Sequence, residues 1–85
     1  MPTQDELLKT ITDTIREVLL AKGMEPPELT LQTSVDRSLG LDSLDWAAVA
    51  VQLEERVGAD PFADGVDREL STVEDLVAVY QQAAG

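Results

Sequence analysis

The segment GLDSLDW, residues 40–46, separates a stretch without regular periodicity from a region with helical spacing. Asp42 is a candidate N-cap, because its short carboxylate can accept a hydrogen bond from the free N–H groups of a first helical turn. Asp45 stands three residues on, in the reciprocal position of a capping box. Gly40 would let the chain turn just before the cap. The segment therefore predicts a helix that begins at Ser43.

Ser43 is expected on the first turn of this helix, exposed and beside the positive end of the helix dipole. An anionic group esterified to its hydroxyl would be favoured by the dipole and by unpaired backbone donors, although Asp42 and Asp45 would partly oppose it. A serine at a helix start can also be only part of a cap. The tripeptide alone therefore assigns no function.

The helix is predicted to end near Val57, before Gly58, and it carries two apolar stripes. One stripe would face the core, and the other would form a docking surface with an apolar centre and an acidic rim. The alternative is a central helix buried on both sides. The core stripe comprises Trp46, Val49, Ala50, Leu53 and Val57, and the docking stripe comprises Leu44, Ala47, Ala48 and Val51, continued by Glu54 and Glu55.

An N-terminal helix is predicted from the capping box at residues 3–6 to a C-cap at Gly23, with apolar residues at helical spacing between them. Residues 23–41 contain two prolines and no sustained period, which predicts a long loop. Its scattered aliphatic residues would pin the loop to the core. They are Leu29, Leu31, Val35 and Leu39.

The last third of the chain predicts a turn, a short helical segment and a final helix. Residues 60–65, DPFADG, resemble the start of a calcium loop, but Phe62 and Ser71 would occupy its third and twelfth positions. We therefore interpret them as a turn with Phe62 buried, followed by a short helix near residues 66–70. A capping box at residues 71–74 opens the last helix, which is expected to fray near its end. Its inward face is Val73, Leu76, Val77 and Tyr80.

Composition limits the chemistry available to the chain. It has 85 residues, no cysteine, no histidine and a net charge of −11. The chain therefore lacks disulfides, thiolate nucleophiles, the usual general base and the usual transition-metal ligands. For this reason we assign no catalytic residue and no metal site, and we do not expect an enzyme. The charge disfavours nucleic acid and anionic lipid and favours proteins with basic patches, although it could equally serve only solubility.

The length suits one small domain over residues 1–85. The N-terminus is acidic, unlike a signal peptide, and no apolar run reaches membrane-spanning length. These features predict a cytoplasmic protein, and we expect a monomer that does not bind membranes.

The order of parts resembles the acyl carrier proteins, including the related peptidyl carriers. The resemblance is carried by LGLDSLD at residues 39–45, by STV at residues 71–73, and by the capped helix and long loop before them. It implies an all-α fold: a small four-helix bundle with a long loop between helices 1 and 2 and a short third helix. It also implies that Ser43 is esterified by 4′-phosphopantetheine from coenzyme A, whose terminal thiol carries an acyl or aminoacyl group as a thioester.

The resemblance implies partners as well. They would be a phosphopantetheinyl transferase, an acyl- or aminoacyl-loading ligase, and downstream synthases or transferases with basic patches. Asp42 would belong to the motif recognised with Ser43, and the docking stripe would meet the enzymes. Ser38 and Ala48 depart from the fatty-acid carrier pattern, which favours a specialised biosynthetic pathway.

Two other functions stay open at this point: a peptidyl or aminoacyl carrier, and an unmodified acidic helical adaptor. A metal-binding regulator would need a better carboxylate cluster than Asp60 and Asp64 provide. Trp46, three residues after Ser43, is predicted to fill the space between helices and so to keep a short or polar cargo outside. The alternative is that Trp46 is simply a core anchor.

Overall fold

Three α-helices make up most of the part of the chain that the computed structural model describes, which is residues 3–35, 39–59, 61 and 71–84. They are α1 (Gln4–Ala21), α2 (Ser43–Val57) and α3 (Val73–Ala84). The described residues contain no strand, so the all-α prediction is confirmed for them. The count of four helices is not confirmed, because the predicted short helix at residues 66–70 lies outside the described residues, as does Phe62 in the predicted turn.

Helix α1 begins after Thr3 and ends just before Gly23, as predicted, although only the Thr3 half of the predicted capping box is present in the described part of the chain. The Thr3 hydroxyl accepts the N–H of Glu6 at 3.1 Å, which satisfies one of the free donors of the first turn. At the other end Gly23 follows the cap residue Lys22 with a φ of +79°, and the N–H of Met24 reaches back to the Leu19 carbonyl at 3.0 Å. This reversal is a Schellman motif, and it folds Met24 back beside α1.

The long loop after α1 is attached to the core and to the start of α3. Leu39 is buried, and Leu29, Leu31 and Val35 pack half-buried against the core, as predicted. An antiparallel bridge pairs Ser34 with Thr72, through bonds such as Val35 N–H to the Ser71 carbonyl at 2.9 Å. Because these backbone groups are paired, the loop as far as Val35 is held against the start of α3.

The cap of α3 lies one residue later than the sequence analysis placed it. Thr72, not Ser71, precedes the first helical residue, and its hydroxyl accepts the N–H of Asp75 at 3.4 Å. The Asp75 carboxylate in turn accepts the N–H groups of Ser71 and Thr72 at 2.9 and 3.1 Å. Helix α3 extends as far as Ala84, and the expected fraying of its end stays a prediction. The inward face is confirmed, since its four predicted residues are all buried.

Helix α2 packs against α1 and buries only one of its sides. Val49 and Leu53 are buried, while Trp46, Ala50 and Val57 are half-buried. Arg56 fixes the far end of α2 to α1, donating to the Thr14 hydroxyl at 2.8 Å and pairing with Glu17 at 2.6 Å. The opposite stripe is exposed, so the alternative of a helix buried on both sides is wrong. The exposed residues are Leu44, Ala47, Ala48 and Val51.

Candidate functional site

Ser43 is the first residue of α2, and its side chain is exposed. The predicted capping box around it is present: Asp42 accepts the N–H of Asp45 at 3.0 Å, and Asp45 accepts the N–H of Asp42 at 3.1 Å. These two bonds use two of the free donors at the helix start. The N–H groups of Ser43 and Leu44 make no hydrogen bond within the described part of the chain. An exposed hydroxyl therefore lies beside these two N–H donors at the positive end of α2.

A lysine from α1 holds the turn before Ser43. The Lys22 ammonium donates to the Gly40 carbonyl at 2.9 Å and pairs with the Asp45 carboxylate. Its hydrogen bond to Asp45 raises the pKa of Lys22 above its ordinary value. The same bond, together with the Asp42 N–H, lowers the pKa of the Asp45 carboxyl. We call this contact the Lys22 clamp.

Gly40 cannot be replaced without strain at this turn. Its φ of +96° is a conformation that residues with a side chain rarely adopt. A Cβ on Gly40 would also lie 2.4 Å from Cε of Met24, the residue that the α1 reversal folds back. The predicted role of Gly40 as the turning residue is confirmed.

A cavity of about 370 Å³ opens beside Ser43, between α2 and α3. This volume is near the lower end of small-molecule pockets. Trp46 is part of its wall and leaves the space open, so the prediction that the indole fills it is wrong. Apart from Ser43, the described residues that line the cavity are aliphatic or aromatic: Val35, Trp46, Ala47, Val49, Ala50, Leu53, Leu76 and Tyr80.

The exposed stripe of α2 is an apolar patch next to Ser43. Leu44 is 81% exposed and Val51 is 57% exposed, values that a side chain serving only the core would not show. Glu54 and Glu55 are exposed at the far end of this stripe. The single cation of α2, Arg56, is turned toward α1, so this surface combines apolar residues with an acidic rim.

Other classes of site find no support in the part of the chain that the structure describes. No group of three or more acidic residues there is placed to hold a metal ion. No helix in that part is both long and apolar enough to span a bilayer. Asp60 and Asp64, considered for calcium, lie outside it.

The sequence predicted the exposure of Ser43, the Asp42 cap and the exposed stripe of α2, but not the Lys22 clamp or most of the cavity lining. Lys22 lies 18 residues from Gly40 and 23 from Asp45, and no local spacing signals such a contact. A basic residue at a helix end is ordinarily explained by the helix dipole alone. Val35, Leu76 and Tyr80 reach the cavity from three distant places in the chain.

The family model for the phosphopantetheine attachment site matches residues 9–79, which is most of the chain. The chain belongs to the acyl carrier protein family. Phosphopantetheine is the prosthetic group of this family, and the exposed hydroxyl with unpaired N–H donors at the start of α2 fits an esterified phosphate.

Named relatives agree with this membership. The chain is 38% identical to the meromycolate extension acyl carrier protein of Mycobacterium tuberculosis over 80 residues, which cover 94% of this chain and 66% of that protein. It is 35% identical to an acyl carrier protein of Rhodococcus erythropolis over 80 residues, which cover 94% of this chain and 84% of that protein. The chain thus spans slightly less than two thirds of the mycobacterial relative.

A solved structure supports the same fold. The solution structure of MacpD, an acyl carrier protein from Pseudomonas fluorescens involved in mupirocin biosynthesis, superposes with a TM-score of 0.77 at 36% identity. The superposition covers 93% of this chain and 71% of MacpD.

Proposed function

We propose that this acyl carrier protein bears phosphopantetheine on Ser43 and carries acyl intermediates of a specialised biosynthetic pathway. The observation that supports this most strongly is the position of the Ser43 hydroxyl, exposed on a capped helix start at the edge of an apolar cavity. The specialised pathway is supported by the relatives, which are named for meromycolate extension and mupirocin biosynthesis.

The attachment step uses the Ser43 hydroxyl as the nucleophile. Its oxygen forms a phosphoester bond to the phosphorus that bears the pantetheine arm, and the pyrophosphate bond of coenzyme A breaks. The nucleotide half of coenzyme A leaves with the bond electrons, and a base of the transferase takes the hydroxyl proton. Phosphopantetheine supplies a thiol that holds the acyl group as a thioester, which is chemistry that a chain without cysteine and histidine lacks.

The remaining residues serve orientation, shelter and recognition. The dipole of α2 and the N–H groups of Ser43 and Leu44 favour a phosphate charge next to Ser43, while the Asp42 and Asp45 carboxylates partly oppose it. The cavity wall formed by Trp46, Leu53 and Tyr80 offers an apolar space for part of a cargo. The chain's residues therefore present and protect the cargo, and partner enzymes carry out the reactions.

The exposed stripe of α2 is the surface we propose for those enzymes. Leu44, Ala47, Ala48 and Val51 would supply apolar contact, and Glu54 and Glu55 would attract basic patches on a transferase, a loading ligase or a downstream synthase. Binding of the partner next to Ser43 would bring the tethered cargo to the partner's active site.

A thiol titration tests the attachment, because the unmodified chain contains no cysteine. After incubation with coenzyme A and a broad-specificity phosphopantetheinyl transferase, followed by desalting, the wild-type chain should gain one titratable thiol. Ser43→Ala should gain none, while Ser71→Ala, which alters another exposed serine, should behave like the wild type.

A thiol on Ser43→Ala would place the attachment elsewhere, and no thiol on the wild type would favour the unmodified adaptor. Loading with an amino acid in preference to an acyl group would favour the aminoacyl carrier. The cytoplasmic location and the monomeric state stay predictions.

A further inference from the structure

The Lys22 clamp joins two elements that the chain connects only through a long loop. Lys22 is the C-cap of α1, and its two acceptors lie on either side of Ser43. One acceptor, the Gly40 carbonyl, comes before the cap, and the other, the Asp45 carboxylate, comes after it. The ammonium thus spans the segment that contains Asp42 and Ser43.

The Lys22 clamp also shares an atom with the capping box of α2. The Asp45 oxygen that pairs with Lys22 is the same Oδ2 atom that accepts the Asp42 N–H. An ammonium that anchors this oxygen holds the carboxylate in its capping rotamer, and it offsets one of the two acidic charges that flank Ser43. Without it, the carboxylate could leave the cap for solvent.

We infer that Lys22 is a positioning residue for the modification of Ser43, acting through the turn at residues 40–42 and the Asp45 carboxylate. This inference rests on the proposed function. Lys22 holds the turn in the conformation that the transferase binds and takes no part in the chemistry. Loss of the clamp would lower the fraction of chains in the binding-competent conformation and so weaken the apparent affinity.

The test uses the unmodified full chain as the substrate of the transferase, with three variants. Lys22→Met keeps the length of the side chain and removes the ammonium. Lys9→Met makes the same charge change on an exposed part of α1 outside the clamp. Asp45→Asn keeps an oxygen that can accept the Asp42 N–H but removes the charge that pairs with Lys22.

Lys22→Met should raise the KM for the carrier roughly three- to tenfold, the range that the net contribution of one ordinary hydrogen bond can produce, with kcat within twofold of wild type. Lys9→Met should leave both KM and kcat within twofold of the wild-type values. In the Asp45→Asn background the effect of Lys22→Met on KM should fall to less than half, because the charged partner is already gone and only the Gly40 carbonyl remains.

A second measurement does not depend on modification. Amide hydrogen exchange at Asp42 and Asp45 should be several-fold faster in Lys22→Met than in wild type, while exchange in the middle of α3 stays unchanged. A merely structural contribution of Lys22 would accelerate exchange throughout the fold.

Equal KM values for wild type and Lys22→Met, or equal effects of Lys22→Met and Lys9→Met, would overturn the inference and leave the proposed function intact. Unchanged exchange at Asp42 and Asp45 in Lys22→Met would overturn it as well. A wild-type chain that the transferase does not modify would overturn the proposed function and the inference with it.

Discussion

At the scale of single residues, Asp42 combines a structural task with a proposed recognition task. Its carboxylate caps α2 through the Asp45 N–H, and its charge lies next to the hydroxyl that would be modified. The two tasks need different properties, since capping requires an oxygen acceptor and recognition by a basic enzyme surface requires a negative charge.

We therefore predict different results for two substitutions of Asp42. Asp42→Asn keeps the cap acceptor, so unfolding free energy should change by less than about 0.5 kcal/mol, while Asp42→Ala should lose about 1 kcal/mol. Both should slow modification of Ser43, because both remove the charge. Denaturant unfolding and transferase kinetics measure the two effects, and full-speed modification of Asp42→Asn would show that the charge is not recognised.

The Lys22 clamp should give stability a defined pH dependence. The pKa of Asp45 is lowered, mainly by Lys22. The contribution of the Lys22–Asp45 contact to the free energy of unfolding is therefore complete above the ordinary carboxyl pKa of about 4, and it is lost as pH falls through the lowered value. The pKa of Lys22 is raised. The same contribution to the free energy of unfolding is therefore complete below the ordinary lysine pKa of about 10.4, and it is lost as pH rises through the raised value.

The stability advantage of wild type over Lys22→Met should thus be constant between about pH 5 and about pH 9 and shrink on either side. Denaturant unfolding of both proteins across this range measures it, with Lys9→Met to subtract the general charge effect. An advantage that stays constant down to pH 3 would mean that Asp45 is not held by the clamp.

At the scale of the elements, α2 has one face in the core and one exposed face, which we propose as the surface for partner enzymes. Simultaneous charge reversal, Glu54→Lys with Glu55→Lys, should raise the KM of a partner enzyme about tenfold and flatten its salt dependence, because the attraction to basic patches is lost. Unfolding free energy should change by less than about 1 kcal/mol, since exposed charges contribute little to stability.

The matched control is Glu25→Lys with Glu28→Lys, which changes the net charge equally on the exposed loop. Equal effects of the two double variants on the partner's KM would mean that only total charge matters. Loss of folding in the α2 variant would make that face structural.

The cavity between α2 and α3 should respond to the length of the cargo. A long saturated acyl chain loaded on the wild type should raise the unfolding midpoint by several degrees and shift the emission of Trp46, the only tryptophan, to shorter wavelength. A short chain should do neither, because it buries little apolar surface.

Ala50→Phe would place a ring inside the cavity. It should abolish the difference in unfolding midpoint and in Trp46 emission between carriers loaded with long and with short acyl chains. Ala48→Phe makes the same change on the exposed face and should preserve the difference. If the long chain has no effect on the unfolding midpoint or the Trp46 emission of the wild type, the cargo stays outside the cavity. The sequence-based prediction about the cargo would then be correct, although the indole does not fill the space.

At the scale of the whole molecule, local signals predicted the ends of α1 and α2, the pinned loop and the exposed serine. They succeeded because caps and amphipathic stripes depend on residues within one or two turns. The cap of α3 was misplaced by one residue because Ser71 and Thr72 are both good caps, and the bridge to Ser34 decides between them. The clamp and the cavity depend on distant residues, which no local pattern brings together.

The most direct measurement is the location of the phosphopantetheine group by fragmentation mass spectrometry of the modified full chain. Attachment at Ser43 predicts a single added group, carried by fragments that contain Ser43, and unmodified fragments for Ser34, Ser38 and Ser71. A group on any of those three serines, or a chain that stays unmodified with a transferase that modifies other carriers, would contradict it.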